Sequence, residues 1–398
     1  MSQIHAARDT LLALSAGNAD PCHIASLTQE DWQWVCDRAE DYRLQPLLHA
    51  ILDVQPDWPV PGSVRQTCLD AHRHSVFRSL IIQHALVDIG RLFDHANIPY
   101  VALKGASLSL EFYDEPALRP MRDLDILVAP HQAESAYDLL KANGYTKYPG
   151  KADYGMEFAH HLPILLSPKG VPIELHHRIA PRDWSGSLVL GEQLLANARK
   201  VTFQSHEVRM AHPTDTLIHL VVHACLQHLF DNGPNLLSDI RALEQSGLVD
   251  WDRVESFTGE YGLGQSLALI KALKAKVMGE QLADDSKVPN DVLDHAASLM
   301  TQDPEEHWQR HLLRRRRSLW QRMVEGIGRA LKPTDGDLRK IAKRDVKGLA
   351  ALRYYPQWLW SRGRVYIGAE FRRDLDQQAA TDAQLETWLR RPSFSDCD

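Results

Sequence analysis

Asp123-Leu124-Asp125-Ile126-Leu127-Val128 sets two carboxylates at the head of an apolar run. The run reads as a buried strand. Side chains two apart on a strand share a face, so both acids project the same way. Like charges a few ångströms apart are costly unless a proton or a cation neutralises them. A hard divalent metal takes oxygen ligands of this kind. Surface strands also carry such pairs, so the pair alone does not decide its role, and the flanking sequence has to.

Upstream lies Tyr100-Val101-Ala102-Leu103-Lys104-Gly105-Ala106-Ser107. Val101–Leu103 read as a short buried strand, Gly105 breaks it, and a helix is expected to begin near Ala106 or Ser107. The first N–H groups of a helix are free and the dipole is positive there, so a strand–glycine–helix junction suits an anion. Lys104 adds a point charge and Ser107 a hydroxyl. The plainer alternative is an ordinary connection with Ser107 as N-cap. Arg119 and Arg122 flank Pro120-Met121 just before Asp123. Their planar forks suit phosphate, or they pair with Glu115 or Asp123.

Downstream, His161–Leu166 and Val171–Leu175 read as two strands joined by Ser167-Pro168-Lys169-Gly170, which has turn chemistry. In the second strand Ile173 and Leu175 point one way, and Glu174 and His176 the other. Glu174 could complete a metal shell or take a proton, or it is a half-exposed strand glutamate.

Together Leu103-Lys104-Gly105, Tyr113, Leu118-Arg119-Pro120-Met121, Asp123-Leu124-Asp125, His161-Leu162-Pro163 and Ile173-Glu174-Leu175-His176 resemble the DNA polymerase β-like nucleotidyltransferase superfamily. The resemblance is closest to the bacterial branch known as uncharacterised nucleotidyltransferases. It is strong over residues 95–180, and a weaker echo in His212-Pro213-Thr214-Asp215, His219, His223 and Asp239-Ile240 reaches about residue 245. It implies an α+β fold, a small mixed β-sheet core flanked by largely helical N- and C-terminal regions. It also implies two Mg²⁺ ions on Asp123, Asp125 and Glu174, and transfer of a nucleoside monophosphate from NTP to an acceptor hydroxyl with release of pyrophosphate. The triphosphate would rest on Lys104, Gly105, Ala106, Ser107, Arg119 and Arg122. His161 and His176 would meet the acceptor or stand behind the ligands. The superfamily often has serine or a second glycine after the glycine of the phosphate turn. Here Ala106 follows Gly105, and Lys104 is the expected substitute. That departure keeps an alternative open, a protein that binds nucleotide without turnover or an antitoxin-like partner.

The chain has 398 residues, 44% hydrophobic and 24% charged, enough for a sizeable core in two or three domains. The expected division is a helical region 1–95, a catalytic core 96–205, a helical region 206–375 and a polar tail 376–398. Helices are expected over Ser75–His95, Gln132–Asn143 ending at Gly144, and Pro213–Phe230. His219 and His223 have the spacing of a helical zinc pair but lack further ligands, so core histidines are favoured.

The net charge of −7 hides an asymmetry: residues 310–373 hold 18 Lys/Arg against 5 Asp/Glu. That stretch, with Arg314–Arg317 and Tyr354, Tyr355, Trp358 and Trp360, suits a solvated surface first. A peripheral membrane or anionic glycan contact ranks second and nucleic acid last. The acceptor could be a small molecule, a sugar or polysaccharide precursor, or a protein. Five scattered cysteines, no leader-like apolar run and no membrane-length apolar stretch point to the cytoplasm.

Overall fold

A computed structural model describes residues 2–149, 159–180, 184–203, 206–280, 288–303, 356 and 373–390. Five helices come first: α1 (Ser2–Ala16), α2 (Pro21–Ala25), α3 (Gln29–Asp41), α4 (Gln45–Asp53) and α5 (Gly62–His95). A capping box starts α3, with Thr28 and Asp31 each bonding the other's amide. Its Trp32, Val35, Cys36 and Ala39 follow helical spacing and bury against Leu11, Leu48, Leu52 and Cys68. The 34-residue α5 begins in that cluster with Val64 and Cys68 and ends under the sheet with Ile82, Leu86, Ile89 and Phe93. It starts 13 residues earlier than its periodicity suggests, because its first turns are largely polar.

Seven strands form one mixed sheet: β1 (Tyr100–Ala102), β2 (Leu124–Val128), β3 (Thr146–Lys147), β4 (Leu165–Leu166), β5 (Pro172–His176), β6 (Arg199–Phe203) and β7 (His206–Met210), in the order β3-β4-β5-β2-β1-β7-β6. At its centre β2 runs antiparallel to β1 and parallel to β5, with Asp125 opposite Glu174 and Leu127 opposite His176. The period of two sorts the side chains. Tyr100, Ala102, Leu124, Ile126, Val128, Ile173 and Leu175 face α5 and α7 (Ala133–Ala142). Val101, Leu103 and Leu127 face the other way, into the largest cluster, with α8 (Gly186–Ala196) and α9 (Pro213–Val222). Behind them stand α10 (Asn235–Gln245), α11 (Trp251–Glu260), α12 (Gly264–Met278) and α13 (Asn290–Leu299). The α+β expectation holds.

Four further details differ from the sequence expectations. The helix after β1, α6 (Lys104–Glu111), starts two residues early, and extended Leu103 precedes it without any side-chain cap. The strand expected over His161–Leu166 shrinks to Leu165–Leu166 plus a bridge from His161 to His176. Pro163, which has no N–H to donate, lies between them. The expected Pro213–Phe230 helix is α-helical only to Val222. A π turn follows at His223–Gln227, and Leu229 and Phe230 then take positive φ of 44° and 64°. Lastly, the polar tail expected from residue 376 is a helix, Arg373–Leu389, whose Leu385, Trp388 and Leu389 bury against α12 and α13. Residues 304–355 and 357–372, which hold almost all of the basic and aromatic stretch, lie outside the described residues.

Candidate active site

The central register builds the site. Asp125 and Glu174 are opposite neighbours on parallel strands, so their carboxyl groups leave the same face. His176, two residues past Glu174, joins them there. The Leu103 amide donates to the Asp125 carbonyl at 3.0 Å, extending the β1–β2 ladder by one residue. This sets Lys104 beside the acids, with Nζ 3.3 Å from Asp125 Oδ2. His176 Nε2 lies 3.2 Å from Asp125 Oδ1 and 3.7 Å from Glu174 Oε2. One ligand atom from each of Asp125, Glu174 and His176 can be chosen so that all lie within 4.8 Å of one another. This is the one such trio of potential metal ligands among the described residues. Asp123, one residue before β2, is half-buried at its edge.

The charges are unevenly held. Burial pushes the Asp123 carboxyl up, and the neighbouring Asp125 and Glu174 charges add to this, to about 6. Burial pushes Asp125 the same way, but the Lys104 charge and the His176 hydrogen bond outweigh it and hold Asp125 well below the carboxylate range. Burial opposes a charge on His176, yet its bonds to Asp125 and Glu174 raise it to about 9. Two cations thus neutralise most, not all, of three carboxylates. A divalent ion fits this donor set, since it supplies the positive charge that Asp123 lacks.

Around the acids the rings of His160, His161 and His176 pack at centroid distances of 5.0–5.5 Å. The Nδ1 of His161 faces its neighbour's carbonyl, Leu162 O, at 2.7 Å. From the α9 side His219 and His223 pack ring to ring at 6.4 Å, and His223 meets His228 at 4.2 Å. Burial, reinforced by the Lys104 charge, keeps His219 and His223 neutral. Although His228 is close to His223, no set of three ligand atoms within 4.8 Å of one another includes these histidines among the described residues, which favours the core-histidine expectation.

Three of the expected phosphate residues are buried or engaged with other groups. Arg119 is committed elsewhere: Nε and Nη2 donate to the two oxygens of buried Asp239 at 2.8 and 2.9 Å, and the Tyr113 hydroxyl adds a bond of 2.7 Å. Ser107 is fully buried in the body of α6, its hydroxyl 3.4 Å from Ala211 O. Ala106 is buried in the sheet core. What stays open at the junction is Lys104 with Gly105, whose amides make no backbone hydrogen bond among the described residues. Arg122 is exposed, and its charge reaches Asp123.

Sequence inspection missed Arg43. It joins α3 to α4 with φ +59°, and it makes no ion pair among the described residues. Burial and then the Arg122 and Arg119 charges lower its guanidinium to about 10, with Asp123 opposing. A non-glycine residue in the left-handed region leaves no sequence signal, so nothing before the fold could have placed it here.

Residues 28–279, well over half the chain, match a family described as uncharacterised nucleotidyltransferase. No curated protein matches. Similar solved structures include the solution structure of the antibiotic-resistance factor ANT(2'')-Ia, at 12% identity over 45% of this chain and 88% of that one, TM-score 0.31. Another is the crystal structure of an antigenic nucleotidyltransferase-like protein from Paracoccidioides brasiliensis, at 15% identity over 57% and 96%, TM-score 0.31. Likeness of that degree says nothing about individual site residues.

Proposed function

The chain belongs to the uncharacterised nucleotidyltransferase family, and from that premise we propose that it moves a nucleoside monophosphate from an NTP to an acceptor hydroxyl, releasing pyrophosphate. The observation that carries this is the Asp125–Glu174 register, which brings two acids to one point with Asp123 beside them and Lys104 on Asp125. We assign Asp123, Asp125 and Glu174 to hold divalent ions, Mg²⁺ in the first instance and two of them. Bound there, these ions would offset the charge of the reacting phosphate and of the leaving pyrophosphate.

The chain's own residues do the rest. Lys104 Nζ lies 3.3 Å from Asp125 Oδ2 and the residue opens α6, so in this reading it bridges the acids to the triphosphate. A side chain at Gly105 would meet only Met121, at 3.5 Å; glycine is not forced by packing, and its amide is left open to an anion. Arg122 and Arg43 both act on the Asp123 charge and form no ion pair among the described residues, and we assign both to the triphosphate. Arg119 acts at one remove, holding the approach to β2 against α10 through Asp239. In this proposal residues 96–205 are the catalytic core, and the helices from α9 onward shape the acceptor side. No helix among the described residues is long and apolar enough to cross a membrane.

The test is pyrophosphate release from each NTP with Mg²⁺ and a cell extract as acceptor source, for the wild type and for Asp125→Asn. Release that the substitution removes while the fold is kept supports the assignment. Release that persists in Asp125→Asn overturns it.

A further inference from the structure

The ligand set at this site is not all oxygen. Glu174 and His176 alternate onto one face of β5, and Asp125 meets them from β2, so an imidazole nitrogen converges with two carboxylates. Two atoms each about 2.1 Å from one ion stand roughly 3.0 Å apart at a right angle and about 3.4 Å apart at a tetrahedral angle. His176 Nε2 lies 3.2 Å from Asp125 Oδ1, inside that range, and 3.7 Å from Glu174 Oε2, a few tenths beyond it. The three ligand atoms lie within 4.8 Å of one another, so side-chain torsions would have to bring them to one ion.

The ring is also pinned. His176 is 3% exposed. Its backbone bridges to His161, the next amide, of His177, donates to His160 O at 3.1 Å, and the rings of His160 and His161 pack against it. Such packing keeps Nε2 aimed at the carboxylates, while Nδ1 is buried with no hydrogen-bond partner among the described residues.

From this convergence we infer that His176, once the proton between its Nε2 and Asp125 is released to solvent, is a metal ligand, and that the site takes a divalent ion that accepts imidazole nitrogen, Mn²⁺, in preference to Mg²⁺. The inference rests on the metal-dependent reading above and refines it. Mg²⁺ holds to oxygen donors and keeps much of its water. First-row transition ions take imidazole nitrogen beside carboxylate more readily than Mg²⁺ does, and the affinity rises from Mn²⁺ onward. Of these, Mn²⁺ also keeps the octahedral, oxygen-rich coordination that leaves positions for phosphate oxygens.

Metal-free full-length protein is titrated with Mn²⁺ and with Mg²⁺ by calorimetry, and the Mn²⁺ form is examined by pulsed electron paramagnetic resonance for ¹⁴N coupling. The wild type should show that coupling, and His176→Asn should lose it. The same substitution should weaken Mn²⁺ about tenfold while changing Mg²⁺ less than about threefold. Glu174→Gln, which removes an oxygen ligand, should weaken both ions alike and leave the nitrogen signal in place. Circular dichroism checks that each variant is folded. No ¹⁴N coupling in the wild type, coupling that survives in His176→Asn, or an unchanged Mn²⁺/Mg²⁺ ratio overturns the inference and leaves the transferase proposal standing. An equal loss of both ions in His176→Asn also overturns it, since His176 would then only position Asp125. Binding of neither ion, with or without ATP, overturns this inference and the metal assignment beneath it.

Discussion

Arg119 and Asp239 meet through two parallel hydrogen bonds, 2.8 and 2.9 Å, although 120 residues separate them in the chain. The pair joins the segment that feeds Asp123 to α10, and Tyr113 closes it from the side. Asp239 is almost fully buried. Removing one partner strands a buried charge, which costs far more than the pair itself contributes. Asp239→Ala should therefore destabilise the fold by about 3 kcal/mol. The double variant Arg119→Met/Asp239→Leu should recover most of that loss, because no charge is left unpaired. Urea unfolding of the three proteins checks this, and a double variant no better than the single one would show that the pair contributes more than charge compensation.

Asp123 carries the opposite kind of burden. Its pKa is raised from the ordinary 3.8 to about 6 in the folded chain, by burial first and by Asp125 and Glu174 next. The sign follows from linkage. The protonated carboxyl favours the folded state below the unfolded value of 3.8, and that advantage is lost as pH rises through about 6. At neutral pH the ionised group therefore works against folding. Asp123→Asn should stabilise the metal-free protein at pH 7.5 by roughly 1 kcal/mol, an amount reduced by solvent at this half-buried position. The gain should shrink toward zero near pH 4. Thermal melts in chelator at the two pH values check it. An equal gain at both would trace it to packing and not to charge.

How far the sequence shows the site follows from range. The period of two already set Asp123 with Asp125, and Glu174 with His176, on common faces, because that alternation is local. That Asp125 stands opposite Glu174 depends on a parallel pairing between segments about 50 residues apart, which no local pattern encodes. Arg119 looked like a free phosphate fork because its partner lies in α10. Ser107 looked like a cap because its burial depends on Ala211. The last helix was open to detection: Leu385, Trp388 and Leu389 keep helical spacing, but the acidic and polar residues between them read as a tail. In the fold, individual strands and helices were legible from their periods, whereas the α+β class and the mixed sheet came from the family resemblance. The π turn after Val222 was not, since a continuous apolar pattern gives no sign of the extra residue in the turn.

Arg43 tests the nucleotide side of the site. Its φ of +59° is a conformation that glycine adopts without strain, so Arg43→Gly removes the guanidinium and leaves the backbone able to keep its path. Stability should stay within about 1 kcal/mol of the wild type, relief of strain offsetting the greater freedom of glycine when unfolded. Binding of a non-hydrolysable NTP should weaken about tenfold, the worth of one charge-assisted contact to phosphate. Calorimetry with the nucleotide analogue, beside a urea melt, separates the two effects. Unchanged nucleotide affinity would remove Arg43 from the phosphate site.

The helix at Arg373–Leu389 makes a prediction about architecture. Trp388 is 5% exposed and shares the largest core cluster with Leu269, Leu273 and Leu293, so its indole fills space between this helix and the α12–α13 pair. Asp382, fully buried, accepts from His295 at 2.8 Å and fixes the register of the helix on α13. Trp388→Ala should cost about 3 kcal/mol, the usual loss when a buried aromatic is truncated. Gln384→Ala, on the exposed face of the same helix, should stay within about 0.5 kcal/mol. Denaturant unfolding of both variants is the check. If the two changes cost the same, the helix does not dock on α12 and α13 in solution, and the chain beyond residue 373 is the loose tail its composition suggests.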